Sequence, residues 1–316
     1  MRVVVLGGTW FVGRAICAEL AARGHELLVV HRGRAEPPEL SSFRHLHAER
    51  AAWPEHRAEF AEFRPDAAVD VSALDGAGAD SSLRALPDGL RLVAISSVDV
   101  YRAYESARAG IHTDPVPLRE DSPLRTARHL DGPQWENLDI EERYLAAGAT
   151  ILRPGGIYGE HDYQHRFECI LRRVRAGRQR IPFGAGTMLF SLVYVGDVAT
   201  AVAAALEAEG QEGEIYNVVE ATTPSMKLYA QWILAAAGSR AELVTVPESV
   251  LPADLRITRA GAQAMLTDAT KARQRLGWRE RDPAESLRRS VEWHLHHPPE
   301  APDEDFAADD LALKST

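Results

Sequence analysis

The chain has 316 residues, is 45% hydrophobic and 26% charged, and carries a formal net charge of −10. That size accommodates one large α/β domain or a large and a small lobe, and the acidic balance excludes a general nucleic-acid binder, whose phosphate contacts need cationic surface. No run approaches the roughly 20 apolar residues of a membrane span, and the opening MRVVVLGG lacks the apolar run and cleavage site of a secretory signal.

Residues 2–6, RVVVL, are a β-branched apolar run expected to form a buried strand. A glycine turn follows and leads into an amphipathic helix over 11–23, which Gly24 stops. Further strands are expected at 26–31, near 44–47, at 67–71 and at 90–96, with a helix over 55–63. Strands alternating with helices predict a parallel sheet with right-handed crossovers. Residues 102–132 are polar, proline-bearing and aperiodic, and read as a long functional loop. A helix over 134–147 and a sixth strand at 150–153 come next. The pattern then changes to short elements with many turns, including a helix over 197–209, a strand over 214–218 and a helix over 225–237. The expected fold class is α/β: a Rossmann-type doubly wound parallel sheet, mainly residues 1–155, with a smaller C-terminal substrate-binding lobe, mainly 156–297, interleaved with the last elements of the sheet. The acidic end, 298–316, reads as a disordered, solvating tail. Cys17 and Cys169 lie in helical patterns far apart in sequence and are expected to be reduced and buried, which suits a cytoplasmic protein.

The turn Gly7-Gly8-Thr9-Trp10-Phe11-Val12-Gly13 lies between a strand and a helix. There, backbone N–H groups and the helix dipole favour a pyrophosphate. Gly7 allows the tight turn and Gly13 lets the helix approach the strand, while Thr9, Trp10, Phe11 and Val12 complete the candidate cradle. The second strand ends in His31-Arg32-Gly33-Arg34. An acidic residue there would bind the ribose 2′-hydroxyl of NAD, whereas arginine forks suit a 2′-phosphate, so Arg32 and Arg34 favour NADP(H) over NAD(H). No metal-ligand pattern is read from the chain.

The segment GGTWFVGRAICAELAARGHELLVVHRG is followed in order by Val69-Asp70-Val71-Ser72, Ser96-Ser97-Val98-Asp99-Val100-Tyr101, Arg153-Pro154-Gly155 and Tyr194-Val195-Gly196-Asp197-Val198-Ala199. Over residues 1–220 this set resembles the extended short-chain dehydrogenase/reductase superfamily, the NAD-dependent epimerase/dehydratase family. It is most like an atypical subgroup that opens GGTxFxG and includes bacterial epimerases and reductases and plastid stem-loop-binding proteins. The resemblance implies a nicotinamide dinucleotide held with the help of Ser72, Asn137 and Pro154, with Glu49 and Arg50 at the adenine edge. It also implies that Ser97 holds the substrate's reacting oxygen. Trp10 replaces the middle glycine of the family's GxxGxxG, so its side chain must point away or cover the cofactor.

The family's Tyr-x-x-x-Lys pair would fall near 133–141, where the chain reads PQWENLDIE. With Glu141 as the anchor, Asn137 stands in the lysine's place and Pro133 in the tyrosine's. There is no lysine before Lys227, and none of Lys227, Lys271 and Lys314 follows a tyrosine by four residues. The lysine ordinarily lowers the tyrosine's pKa and holds the ribose; asparagine can hydrogen-bond but cannot tune an acid. Substitute proton carriers are expected in two loops, among Tyr101, Tyr104 and His112, and among Tyr158, His161, Asp162, Tyr163 and His165. Tyr158 and His161 lead, with Tyr101 behind them and Ser97 as the orienting group. The resemblance also puts substrate-phosphate binding at the arginine-rich run 166–180, for which a solvated helix face is the alternative.

The expected activity is that of an NAD(P)-dependent reductase, dehydrogenase or epimerase acting on a small polar or secondary-metabolite substrate with a non-standard proton donor. A redox-neutral dehydratase, isomerase or cyclase, and a non-catalytic NAD(P)-binding regulatory protein, are the alternatives. The expected partner is a small-molecule substrate, without membrane or nucleic acid; a homodimer is allowed, and the sequence leaves the oligomeric state open.

Overall fold

A computed structural model describes residues 1–128, 135–258, 263–300 and 304–315. β1 (Arg2–Leu6) is apolar and buried after its first residue, as a strand covered on both faces must be. After it come α1 (Phe11–Ala22), β2 (Glu26–His31), β3 (Arg44–His47), α2 (Arg57–Phe63), β4 (Ala67–Asp70), α3 (Gly76–Ala85) and β5 (Arg91–Ile95). α4 (Arg102–Ala109), α5 (Asn137–Ala146), β6 (Thr150–Pro154), β7 (Gly156–Tyr158), α6 (Glu168–Arg175), β8 (Arg180–Phe183) and β9 (Leu192–Tyr194) follow. The chain continues through α7 (Val195–Glu207), β10 (Ile215–Val218), α8 (Met226–Ala236), β11 (Glu242–Thr245), α9 (Thr270–Arg275), α10 (Pro283–His296) and α11 (Ala307–Leu313).

Seven strands form one sheet in the order β10-β6-β5-β4-β1-β2-β3, with every pairing parallel. α1 and α7 cover one face through Ile16, Leu20, Val198 and Val202. Trp53 and the α2 residues Phe60 and Phe63 cover the other, with α3 and α5 alongside through Ala79, Ile140 and Tyr144. This is the doubly wound sheet expected. β10 joins it from beyond residue 200, so the later chain is interleaved with the sheet. Two small parallel pairs, β7 with β9 and β8 with β11, pack with α6, α8 and α10 around a second core that includes Phe167, Phe183, Tyr229 and Val291. Among the described residues no helix is long and apolar enough to cross a membrane. Cys17 is buried, Cys169 is partly buried, and both are free.

Three expectations are corrected. The supposed loop 102–132 begins with α4, which is hard to see in sequence because it buries only Ala103, Ser106 and Ala107. α3 was not expected at all; GAGADSSLRA carries no large apolar residue except Leu83, and its N-terminus is set by Asp75 accepting from Gly78 N. The acidic tail is not disordered where described. α11 docks on α6, with Arg173 and Asp309 both fully buried and 2.7 Å apart. Phe306 lies under the Arg172 guanidinium, and Asp310 pairs with Arg178. Five arginines of the run thus pair with carboxylates of the fold, while Arg180 is exposed. Arg173 also holds Asp254, Arg166 holds Asp162, and Arg175 holds Glu168.

Candidate functional site

The site is built first at the carboxyl end of β1. Gly7 has φ +91° and donates its N–H to Val30 O at 2.9 Å. A Cβ on Gly13 would stand 2.1 Å from Gly7 O, so only glycine lets α1 start so close to the strand. The N-cap of α1 is Trp10, with no side-chain cap, which leaves the first-turn N–H groups without a side-chain acceptor. Trp10 is extended (φ −117°, ψ 148°), a conformation open to any residue. Its indole is 60% exposed and stacks on Tyr163, ring centroids 4.9 Å apart. The bulky side chain points outward and leaves the turn's backbone intact. Phe11 is buried behind it, Thr9 and Val12 are partly buried, and Ser72 lies against Gly7.

At the end of β2, Arg32 is exposed and Arg34 pairs with Glu49 at 2.9 Å across an exposed gap. Arg50 is a correction: instead of reaching toward an adenine edge it turns inward. Its guanidinium donates to both oxygens of buried Asp70 (2.7 and 2.9 Å), to Ser72 Oγ and to Ser82 Oγ, and stacks over Trp53. Tyr144 also donates to Asp70. Burial raises the Asp70 carboxyl, but Arg50 outweighs it and leaves the group below its ordinary value. Arg50 is a brace between β4 and α3.

The third part lies beyond β5. Ser97 caps a 3₁₀ turn (Val98–Val100), its Oγ accepting from Asp99 N at 3.2 Å. Asn137, buried at the start of α5, donates from Nδ2 to Asp99 Oδ1 at 2.9 Å. Burial pushes the Asp99 carboxyl up to about 6, against the opposing pull of Asn137, Arg125 and Arg108. One helical turn later Glu141 accepts from Ser96 Oγ (2.6 Å) and from Arg153 (2.8 and 2.7 Å). Asn137 and Glu141 thus share the face of α5 turned to β5 and β6. Pro133 lies outside the described residues. In the sequence Asp99 is one letter of SSVDVY, and only the fold sets it against Asn137, 38 residues away.

The expected proton carriers fare differently. Tyr101 is wholly buried, donates to Asn217 Oδ1 at 2.6 Å, accepts from Arg153 at 3.1 Å, and is raised by burial to about 12. It is corrected to a structural role. Tyr158 is also buried and donates to Glu220 Oε1 at 2.7 Å; burial raises its hydroxyl well above the usual tyrosine value. Glu220, not singled out in the sequence, is pushed up to about 7 by burial. His161 (φ +65°) sits between Arg14, 3.3 Å away, and the edge of Trp293, beside α1 and not beside Ser97. Burial lowers its pKa. Pro154 ends β6, buried and paired with Val218.

A cavity of about 680 Å³ opens between α4, β7 and α8. Tyr104, Tyr158, Phe183, Phe190 and Met265 give it an apolar, aromatic wall, and Arg108 brings charge to it. Two polar atoms of its lining residues, His165 Nδ1 and Tyr229 OH, are buried without a hydrogen-bond partner. Arg108 is also among the charges acting on Asp99.

The family described as NAD dependent epimerase/dehydratase matches residues 3–88 and 81–218. The chain is 25% identical over 335 residues to the chloroplast stem-loop binding protein of 41 kDa b of Arabidopsis thaliana, covering 99% of this chain and 84% of the relative. It is 26% identical over 228 residues to the 2'-dehydrokanamycin reductase of Streptomyces kanamyceticus, covering 69% of this chain and 61% of the reductase. The fold matches the dTDP-glucose 4,6-dehydratase of Bacillus anthracis, solved with NAD, at TM-score 0.73 and 16% identity, covering 95% of this chain and 98% of the other.

Proposed function

Since the chain belongs to the NAD dependent epimerase/dehydratase family, we propose that it is a nicotinamide-dependent reductase in which Asp99 replaces the family's tyrosine as proton donor. The carrying observation is the contact between Asp99 and Asn137, with Ser97 adjoining, at the place where the lysine is missing.

The residues at the β1–α1 turn suit a dinucleotide. The helix N-terminus is uncapped by any side chain, and Gly7 and Gly13 keep the backbone clear of Cβ atoms. Gly7, Thr9, Phe11, Val12, Gly13 and Ser72 would hold the pyrophosphate side, and Arg32 and Arg34 would favour NADP(H) over NAD(H). Such a cofactor supplies hydride chemistry. The chain's own groups do the rest. Ser97 orients a substrate carbonyl oxygen. Asp99, protonated below about pH 6, gives that oxygen its proton. Asn137 holds the carboxyl in position, a role that needs no charge.

The cavity forms the substrate side, mainly from the lobe 156–297. Its aromatic wall favours a compact, largely apolar substrate, and His165 Nδ1 and Tyr229 OH would each meet a polar group on it. Tyr158 in that wall donates to Glu220, whose carboxyl burial pushes up to about 7. A non-catalytic nucleotide-binding protein is the second reading, favoured by the absent Tyr-x-x-x-Lys pair.

The test is a binding titration with NADPH and NADH, then hydride consumption over a panel of aromatic and alicyclic ketones. The proposal expects tighter NADPH binding and turnover that Asp99→Asn abolishes without changing cofactor affinity. Turnover unchanged in Asp99→Asn would remove Asp99 from the chemistry, and cofactor binding without turnover of any carbonyl would favour the second reading.

A further inference from the structure

At the edge of the sheet, parallel pairing sets His31 of β2 opposite His47 of β3, so their side chains leave the same face. His45, two residues before His47, leaves that face too. Leu46, between them, packs into the core on the opposite side. The loop after β2 then brings Glu36 over the three imidazoles, with its carboxylate 3.5 Å from His45 Nε2 and 3.2 Å from His47 Nε2. One donor atom from each of the four residues lies within 4.8 Å of the others.

We propose that His31, Glu36, His45 and His47 form a site for a divalent transition-metal ion of the zinc class. Three imidazoles and one carboxylate are a donor set such ions take, and soft or charge-only selection is not needed. A tetrahedral zinc ion at about 2.0–2.1 Å from each ligand sets the donors about 3.4 Å apart, so the widest spacings, within 4.8 Å, must shorten while His31 Nε2 and His45 Nδ1, 2.9 Å apart, must separate. Glu36, 36% exposed, and His47, 51% exposed, have room to adjust. That exposure also provides the entry path.

The hydrogen bonds around the cluster prepare it in part. His45 Nε2 faces the Leu40 carbonyl at 2.8 Å, which places its proton there and leaves Nδ1 as the lone-pair nitrogen. Gly33 N donates to His31 Nδ1 at 3.1 Å, which puts that ring's proton on Nε2, 2.9 Å from His45 Nδ1. Metal binding requires that this proton move to Nδ1 and that the Gly33 contact open. No net proton is released, and Gly33 holds a left-handed conformation (φ +74°) that glycine adopts without strain. The site adjoins Gly33, between Arg32 and Arg34, on the edge pair of β2 and β3, and its existence does not depend on the reductase reading.

The experiment uses tag-free full-length protein freed of metal by a chelator. Zn²⁺ is titrated by calorimetry, and Co²⁺ by visible absorption, which reports tetrahedral coordination. The expected result is one equivalent of saturable binding, with His47→Ala and Glu36→Gln each weakening it by about tenfold or more. Both residues are exposed, so circular dichroism should find the variants folded. His296→Ala with His297→Ala, a histidine pair at the end of α10, should leave the affinity unchanged. The proposal is overturned by no saturable binding, by equal affinity in His47→Ala and Glu36→Gln, or by loss only in the α10 variant.

Discussion

At the β1–α1 turn the protein keeps the backbone that anion binding needs, although a tryptophan stands where its family has glycine. At the start of α5 Glu141 holds the frame, and the proposed reading puts a different reactive group there. Glu141 holds Ser96 and Arg153, while Asn137, one turn before, meets Asp99. The difference follows from what each place depends on. The turn works through N–H groups and two glycines, so an exposed side chain can change without cost to it. The position proposed as catalytic would work through side-chain charge, so a change of residue there would change the chemistry. Losing a cation there also leaves a neighbouring carboxyl free to stay protonated to a higher pH.

The largest expected effect tests that second place directly. Asp99→Asn should lower kcat by about 10²–10⁴-fold, the usual weight of one positioned proton carrier, with dinucleotide affinity unchanged in calorimetry. In the unaltered protein the same group sets the pH profile. Because burial raises its carboxyl to about 6, the protonated acid is present below that pH and is lost as pH rises through it. Reduction should therefore decline about tenfold per pH unit on the alkaline side. A tyrosine donor would hold the rate level well beyond neutrality.

Asn137→Lys comes next. An ammonium beside Asp99 favours the carboxylate and returns it toward the ordinary range, so the protonated fraction at pH 7 should fall by about 10-fold or more. Reduction at pH 7 should fall with it and recover as the pH is lowered. A rise in activity at pH 7 would instead mean that a lysine still serves the ribose and that Asp99 is not the donor.

The contrast between the two places also decides what could be read in sequence. The core strands were legible because a strand buried on both faces must be an unbroken apolar run, as in Arg2–Leu6. The glycine turn was legible because its neighbours, a strand and a helix, give it meaning. α3 and α4 were not, because alanine, serine and glycine bury a helix without leaving an apolar period. The inward turn of Arg50 was hidden because its partner, Asp70, lies 20 residues away at the end of β4. The fate of the tail was hidden for the same reason: Asp309 is solvated or buried according to whether Arg173 is near, and only the fold brings them together. Asp99 and the histidine cluster share that character. A raised carboxyl depends on what covers it, and three imidazoles form a cluster only when β2 and β3 pair in one register.

Gly13→Val tests the turn from the side of its backbone. A side chain there would meet Gly7 O and Gly8 Cα, and overpacking of this kind costs about 1–3 kcal/mol. Dinucleotide affinity should fall by about 10–100-fold, measured by nicotinamide fluorescence, and the melting temperature should fall as well. If affinity were unchanged, the cofactor would not use this turn.

Trp10→Gly should have the smallest effect, and it is the sharpest test of whether the two places differ in kind. The substitution restores the family's middle glycine and removes the stack on Tyr163. An aromatic pair is worth about 0.5–1.5 kcal/mol, and at 60% exposure the indole covers little core. The extended backbone at this position does not depend on the residue. Removing the indole clears the mouth of the turn and lets the pyrophosphate approach the chain more closely, so dinucleotide affinity should rise, by less than about tenfold. If affinity falls by more than that, the Trp10–Tyr163 pair is itself part of the cofactor's hold. The turn would then work through side chains, as the start of α5 is proposed to do.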